Sequence, residues 1–209
     1  MKISSKKELK FFLASDLMMN RGFFRYSAKQ KIMRLFLRDH IIDFLKALRK
    51  TEYYINTGKK RTLGYLFNKY RLSSLGVKLG FSISPGVFGY GLVIPHCGTI
   101  VVGDGNQVGN FAVLHTAVCI TQGQKVIGDG LYLSTGGKIL GDVSLGDGVT
   151  VAANAVVNKS FEKGYCLLTG VPATEKRAQE IWYVNDGEKH QNRAEKIKEL
   201  ALKMNLERF

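Results

Sequence analysis

From Val102 onward, branched aliphatic residues return at every sixth position. Val102, Val108, Leu114 and Ile120 form one run; Ile127, Leu133, Ile139, Leu145, Val151 and Val157 form a second, offset by one extra residue. Glycine often follows the aliphatic (Gly103, Gly109, Gly128, Gly146), and a small or branched residue often sits four places on (Ala112, Val118, Val143, Val149, Ala155). A helix repeats at about 3.6 residues and a strand at about 2, whereas a six-residue period is the flat side of a parallel β-helix. In such a prism the aliphatic points inward, the glycine permits the corner, and the second small residue fills the remaining interior.

The pattern divides the chain into three regions. Residues 1–80 read as helical. Ser4 or Ser5 caps a first helix with Leu9, Phe12, Leu13 and Leu17 on one face, and a longer helix runs from about Ser27 to Ile55. Gly58 and the basic run Lys59-Lys60-Arg61 then precede a third, short helix reaching Leu75. Residues 81–174 carry the repeat, with irregular register over Ser84–Thr99 and a slip over Thr121–Val126. Register slips are where loops leave a prism, and loops carry chemistry. Residues 175–209 form a C-terminal tail, with Ile197, Leu200, Ala201 and Met204 on one face of a helix between Glu188 and Leu206. An open prism end exposes strand edges, so helices at either end are natural caps.

Composition adds limits. The 209 residues are 45% hydrophobic and 23% charged, ordinary for a soluble globular protein. No stretch approaches the roughly 18 apolar residues of a membrane span, and no signal peptide is read at the N-terminus. Cys97, Cys119 and Cys166 show no metal-ligand spacing, and His, Cys and Asp do not cluster as a metal site would. A reduced, cytoplasmic setting is expected.

The net charge of +14 belongs to the first region: residues 1–80 hold 19 Lys/Arg against 5 Asp/Glu, and the remainder holds 12 of each. Such charge is either a set of solvated helix faces or an attractor of anionic partners, a lipid surface at the inner face of the membrane or an anionic glycan. Exposed Phe23-Phe24 beside Arg21 and Arg25 suits membrane docking. No nucleic-acid-binding module accompanies the charge, so nucleic acid is not expected as a partner.

Repeats of the form aliphatic-Gly-x-x-small-x resemble the hexapeptide-repeat acyltransferases. The closer likeness is to the serine acetyltransferase branch and its relatives that acetylate capsule or lipopolysaccharide sugars. It is carried by the run from Gly91 to Gly103 around Pro95-His96-Cys97-Gly98-Thr99-Ile100, by Lys138-Ile139-Leu140-Gly141, and by Gly170-Val171-Pro172-Ala173. It covers about residues 82–174. The resemblance implies a mainly β fold, a left-handed parallel β-helix with an N-terminal helical region and a C-terminal helix, forming homotrimers that use acetyl-CoA at sites between subunits.

Acetyl transfer to a hydroxyl needs a base, donors facing the oxyanion, and a groove for the CoA arm. Histidine suits the first near neutral pH. Of His40, His96, His115 and His190, it is His96 that matches the family's catalytic histidine and is expected to be the general base. His40 falls in a helix and His190 in the polar tail. His115 either lies at the surface or an interface, or lines the acceptor pocket one coil from His96. The resemblance puts the pantetheine arm along Gly136, Gly137, Ala152 and Ala153, its far end at Val171 and Pro172, and the nucleotide phosphates near Lys159, Lys176 and Arg177. The sequence does not identify the oxyanion donor; backbone amides of Gly98 or Gly136 are candidates.

The sequence departs from serine acetyltransferases where Ser82 replaces an aspartate that orients their histidine, Gln124 replaces a second site histidine, and Pro95 replaces an acidic residue. Neutral residues there suit an uncharged acceptor, and a backbone carbonyl is left to orient His96. The leading expectation is therefore a sugar O-acetyltransferase of surface-polysaccharide assembly, with Ser82, His115 and Gln124 facing the acceptor. Serine O-acetylation in cysteine biosynthesis is the alternative. In that branch a C-terminal isoleucine commonly binds cysteine synthase, whereas this chain ends Glu207-Arg208-Phe209. A non-catalytic β-helix scaffold is the third reading, since function does not follow from fold alone.

Overall fold

The computed structural model describes residues 2–206; the Glu207-Arg208-Phe209 terminus lies outside them. Four helices precede the repeat: α1 (Lys6–Arg21), α2 (Ala28–Phe36), α3 (His40–Asn56) and α4 (Leu63–Leu79). Ser5 caps α1 in a reciprocal capping box with Glu8, and Ser27 does the same for α2 with Gln30. The single helix expected over Ser27–Ile55 is two. The Asp39 side chain accepts from the Ile42 amide and starts α3 afresh, while Arg21 grips the same carboxylate at 2.6 and 3.0 Å. The third helix is also longer than expected, running to Leu79, where Gly80 in the left-handed region ends it.

The repeat then winds a left-handed parallel β-helix of about five turns. β1 (Phe81–Ile83) opens the first coil, which continues through single bridges at Phe88 and Val93. The second coil holds β2 (Ile100–Val102), β3 (Gln107–Val108) and β4 (Val113–Leu114); the third holds β5 (Val118–Ile120), β6 (Val126–Ile127) and β7 (Tyr132–Leu133). β8 (Lys138–Ile139), β9 (Ser144–Leu145) and β10 (Thr150–Val151) form the fourth, and β11 (Val156–Val157) and β12 (Cys166–Thr169) the fifth. Stacked in parallel they make a first face β1-β2-β5-β8-β11, a second β3-β6-β9, and a third β4-β7-β10-β12. Every aliphatic of the six-residue register is at most 5% exposed.

The slip at 121–126 has a physical content. Register places Asn106, Lys125 and Val143 at one interior level. Lys125 is fully buried there and donates to the Thr121 carbonyl at 2.9 Å. Burial pulls its ammonium below the usual lysine range, against the pull of Asp142.

After the fifth coil, β13 (Thr174–Ala178) turns back antiparallel to β12, so the region beginning at 175 starts as a strand rather than a helical tail. The chain then runs down the vertex between the second and third faces through α5 (Trp182–Asn185), whose Trp182 indole donates to the Phe111 carbonyl at 2.7 Å. It ends in α6 (Glu188–Lys203) on α1, where Arg193 donates to the Met19 carbonyl at 2.7 Å.

The helical base is bolted to the first coil by one buried guanidinium. Arg49 pairs with Asp16 at 2.8 Å and donates to the Phe88 and Gly89 carbonyls at 2.7 and 2.6 Å, while Asp16 accepts from the Leu92 amide. Glu52 lies 3.5 Å from the same guanidinium, yet burial outweighs Arg49 and raises its carboxyl above the usual range.

Candidate functional site

The vertex from the third face to the first carries most of the candidate residues. Three of its turns are short: residues 115–117, 134–136 and 152–154. Ala117, Gly136 and Asn154 occupy equivalent places there and all have left-handed φ, of 59, 76 and 57°. The first turn is longer, spanning 95–99, and the added residues push His96 and Cys97 out into solvent. Pro95 and Gly98 bracket this excursion, and Gly98 (φ 147°) is held by its amide on the Leu79 carbonyl at 3.0 Å.

Directly along this vertex lie Gly136 and Gly137, both buried, and Ala152 and Ala153, half-buried and exposed. A Cβ on Gly136 would collide with the Asn154 side chain, so the turn admits no bulk. Val171 and Pro172 stand exposed at its upper end, between the Val156 amide bond to Gly170 and the Ala173 amide bond to Val156. His96 and six small or apolar candidates thus share one edge of the prism.

The remaining candidates lie elsewhere. Ser82 projects from the outer surface of the first face beside Val101. Gln124 is exposed at the next vertex, across the first face, its amide bonded to Asp142 at 2.7 Å. Lys159 follows β11 at that same far vertex and stacks on Phe161 at 5.5 Å. Lys176 and Arg177 stand on fully exposed β13. Within one chain Gln124 and Lys159 therefore lie across the first face from His96, and Ser82, in the coil below, makes no hydrogen bond with it.

Among the described residues, neither a carboxylate nor a backbone carbonyl hydrogen-bonds the His96 ring, so the expected carbonyl partner is absent from the single chain. The candidate oxyanion donors also fail: the Gly98 amide is spent on Leu79, and the Gly136 amide on Thr116 at 3.0 Å. By contrast, the amides of Thr135 and Ala153, at the tips of the second and third turns beyond that of His96, donate to no backbone carbonyl.

His115 occupies the turn above His96. It is half-buried, bonded through Nε2 to the Tyr132 hydroxyl at 2.8 Å, with the rings 5.0 Å apart. Burial first, and then the neighbouring His96, hold it below the usual imidazole range, opposed by Asp186. The contact continues to Trp182, 6.1 Å from Tyr132, and His190, 5.3 Å from Trp182 and paired with Asp186 at 2.9 Å. A cavity of about 190 Å³ opens among Tyr132, Thr150, Gln179, Trp182 and Asp186.

Sequence reasoning missed Tyr132, which the stacking of β4 on β7 sets beside His115, and Trp182 and Asp186, which only the returning C-terminal segment brings there. It also missed Lys138, which donates to the Gly136 carbonyl at 3.0 Å and puts a cation closer to the small-residue edge than Lys159 does. A lysine just after Gly-Gly was the available signal. His40, at the start of α3, meets Lys78 at 2.9 Å, away from this edge. Among the described residues no group of three or more His, Cys, Asp or Glu is placed to hold a metal ion, and no helix is long and apolar enough to cross a membrane.

No protein-family model matches the chain. A serine acetyltransferase of Buchnera aphidicola subsp. Acyrthosiphon pisum is 32% identical over 138 residues, covering 62% of this chain and 48% of that one. A serine acetyltransferase of Haemophilus influenzae is 28% identical over 137 residues, covering 62% and 49%. The chain thus spans about half the length of these relatives. A solved serine acetyltransferase in complex with CoA superposes with a TM-score of 0.62 at 22% identity, covering 81% of this chain and 70% of that one. A soybean serine acetyltransferase complexed with serine gives 0.63 at 23%, covering 80% and 69%. These two structural likenesses concern the fold.

Proposed function

We propose that this chain, a hexapeptide-repeat β-helix similar to the serine acetyltransferases, is an acetyl-CoA-dependent O-acetyltransferase with His96 as general base. The observation that carries the proposal is the shared vertex: a histidine lifted on a lengthened turn, followed by stacked turns too small to obstruct a thin ligand. The pantetheine arm lies along Gly136, Gly137, Ala152 and Ala153 and ends against Val171 and Pro172. Lys138 supplies a cation beside it, with Lys159, Lys176 and Arg177 reaching the phosphates only from other faces or chains.

In the reaction, the acceptor hydroxyl gives its proton to His96 as its oxygen bonds the thioester carbonyl carbon. The carbonyl oxygen becomes an oxyanion, which hydrogen-bond donors at the level of His96 must meet. Collapse breaks the carbon–sulfur bond, and the imidazolium returns its proton to the departing thiolate. Since Gln124 stands across the first face from His96 in one chain, the complete site in this reading forms between adjacent subunits of a homotrimer.

For the acceptor, the relatives support L-serine over the surface-polysaccharide sugar that neutral Ser82, Pro95 and Gln124 suggest. A second reading, an uncharged hydroxyl acceptor, keeps one specific observation in its favour: among the described residues no carboxylate hydrogen-bonds His96. Acetyl-CoA consumption by the purified protein, with L-serine and with a panel of nucleotide sugars and oligosaccharides, separates the two. Turnover with L-serine that His96→Ala abolishes supports the first reading, and turnover with a sugar alone supports the second. Absence of CoA binding and of turnover with every acceptor leaves the scaffold reading in place.

A further inference from the structure

Helix α2, the shortest of the four helices of the base, is the one in which no residue is buried. Leu35 is 75%, Phe36 82%, Leu37 69% and Ile32 61% exposed. Ile32, Leu35 and Phe36 share one face at helical spacing, with exposed Lys29 and Lys31 around them and Arg38 just beyond. Phe23 and Phe24, expected to be exposed, are half-buried instead: Phe23 packs on Tyr26 with ring centroids 5.1 Å apart. The exposed apolar side chains of the helical base lie instead on α2 and on α4, where Leu63, Tyr70 and Val77 stand out, and those of α2 adjoin a cationic cavity.

Next to this helix is a cavity of about 680 Å³. Its walls include Leu13 and Phe24, and four cations line it: Lys10, Arg25, Lys31 and Lys46. No acidic residue lines it. Arg34 does have a partner in Asp43, and its guanidinium and the Lys46 ammonium both stack on Tyr26, at 4.5 and 5.0 Å. Apolar walls with cations that form no salt bridge, although Asp43 and Asp39 lie near enough to act on Lys46, match an amphiphile with an anionic head.

We propose that α2 and this cavity form a docking surface for an anionic phospholipid bilayer. The apolar face of α2 enters the headgroup–acyl boundary, Lys29 and Lys31 extend to the phosphates, and the cavity takes one lipid headgroup with the start of its chain. A second copy of the chain is the poorer occupant. Residues 28–36 contain no acidic residue, so self-pairing through α2 would set Lys29 and Lys31 against their own kind. This surface is independent of the His96 vertex and of the activity proposed for it.

The test is co-sedimentation of the full chain with vesicles of phosphatidylcholine alone, or of phosphatidylcholine with roughly one-third phosphatidylglycerol, at low and high salt. Binding to the anionic vesicles is expected, falling at high salt. It should drop at least about tenfold in Leu35→Glu/Phe36→Glu and in Lys29→Gln/Lys31→Gln. Because α2 buries nothing, both variants should keep the wild-type melting temperature, and the wild-type lipid and salt dependence is informative even without them. Absent or charge-independent vesicle binding overturns the proposal. So does retained binding in the Glu variant, or a Glu variant that loses only self-association in sedimentation velocity.

Discussion

Two vertices of the prism use the same backbone turn and finish it differently. Between the second and third faces, Gly91, Phe111, Gly130 and Gly148 stack with left-handed φ of 58 to 74°. There Asn110, Asp129 and Asp147 form a ladder in which each carboxylate accepts the amide of the coil below, at 2.7 Å. Tyr90, Phe111 and Tyr183 pack edge to face over it, and Ile181 closes on Gly130. Between the third and first faces the turns also stack, but little covers them, their side chains are small, and one turn is lengthened at His96. Side chains spent on hydrogen bonds between coils make the first vertex a seam. Leaving such side chains out makes the second an edge open to a ligand.

The sharpest way to break this comparison is His96→Ala. Turnover should fall by about 10²–10⁴-fold, the usual worth of a general base, with no change in melting temperature because the residue is exposed. A variant at near wild-type rate would remove the open vertex from the chemistry. Asp129→Ala should do the converse, costing about 1–3 kcal/mol of stability by stranding the Asn110 amide and side chain, read as a lower denaturation midpoint.

At the open edge, Ala153→Phe should raise the KM for acetyl-CoA about tenfold, roughly 1.4 kcal/mol, while leaving the melting temperature alone. Equal loss of stability and affinity would mean that the edge is packed, not open.

The smallest effects are in pH. At the seam, burial and then Asp129 push the Tyr90 and Tyr183 hydroxyls up to about 12. The unfolded chain ionises first, near 10, so stability should be lost as pH rises through about 10 to 12; Tyr183→Phe should flatten that loss. At the edge, His115 is held below 6.5. Below that pH the unfolded chain binds the proton more readily, so stability should decline as pH falls. His115→Gln should remove this acid limb, and denaturation midpoints across pH check both.

What could be read from residues alone follows the same division. The aliphatics from Val102 to Val157 stated the prism because each coil repeats one packing requirement. His96 was singled out by resemblance to the family's catalytic histidine, and it falls in the stretch where the period is irregular. The break between α2 and α3 was hidden, since Asp39 sits inside a continuous amphipathic pattern and declares itself only by capping Ile42. β13 gave no alternation because all five of its residues are exposed. Lys125 occupies a level where the repeat asks for a small aliphatic, and only the extra residue over 121–126 hinted at the room it needs. Gln124 was grouped with His96 by resemblance, whereas the fold sets it at the other vertex of the first face, a separation that no local pattern encodes.

The returning C-terminal segment has a consequence for how the molecule is made. Each coil rests only on its neighbours, so the stack can grow turn by turn from the helical base as synthesis proceeds. Residues 179–203 follow every coil in chain order, yet they touch Gly148, Gly130, Phe111 and finally Met19 in descending sequence. They can dock only onto coils already wound, and a missing or misregistered coil leaves Ile181, Trp182 or Arg193 without its seat. The segment thus works as a length gauge, closing on a complete stack and converting an additive column of turns into one cooperative unit.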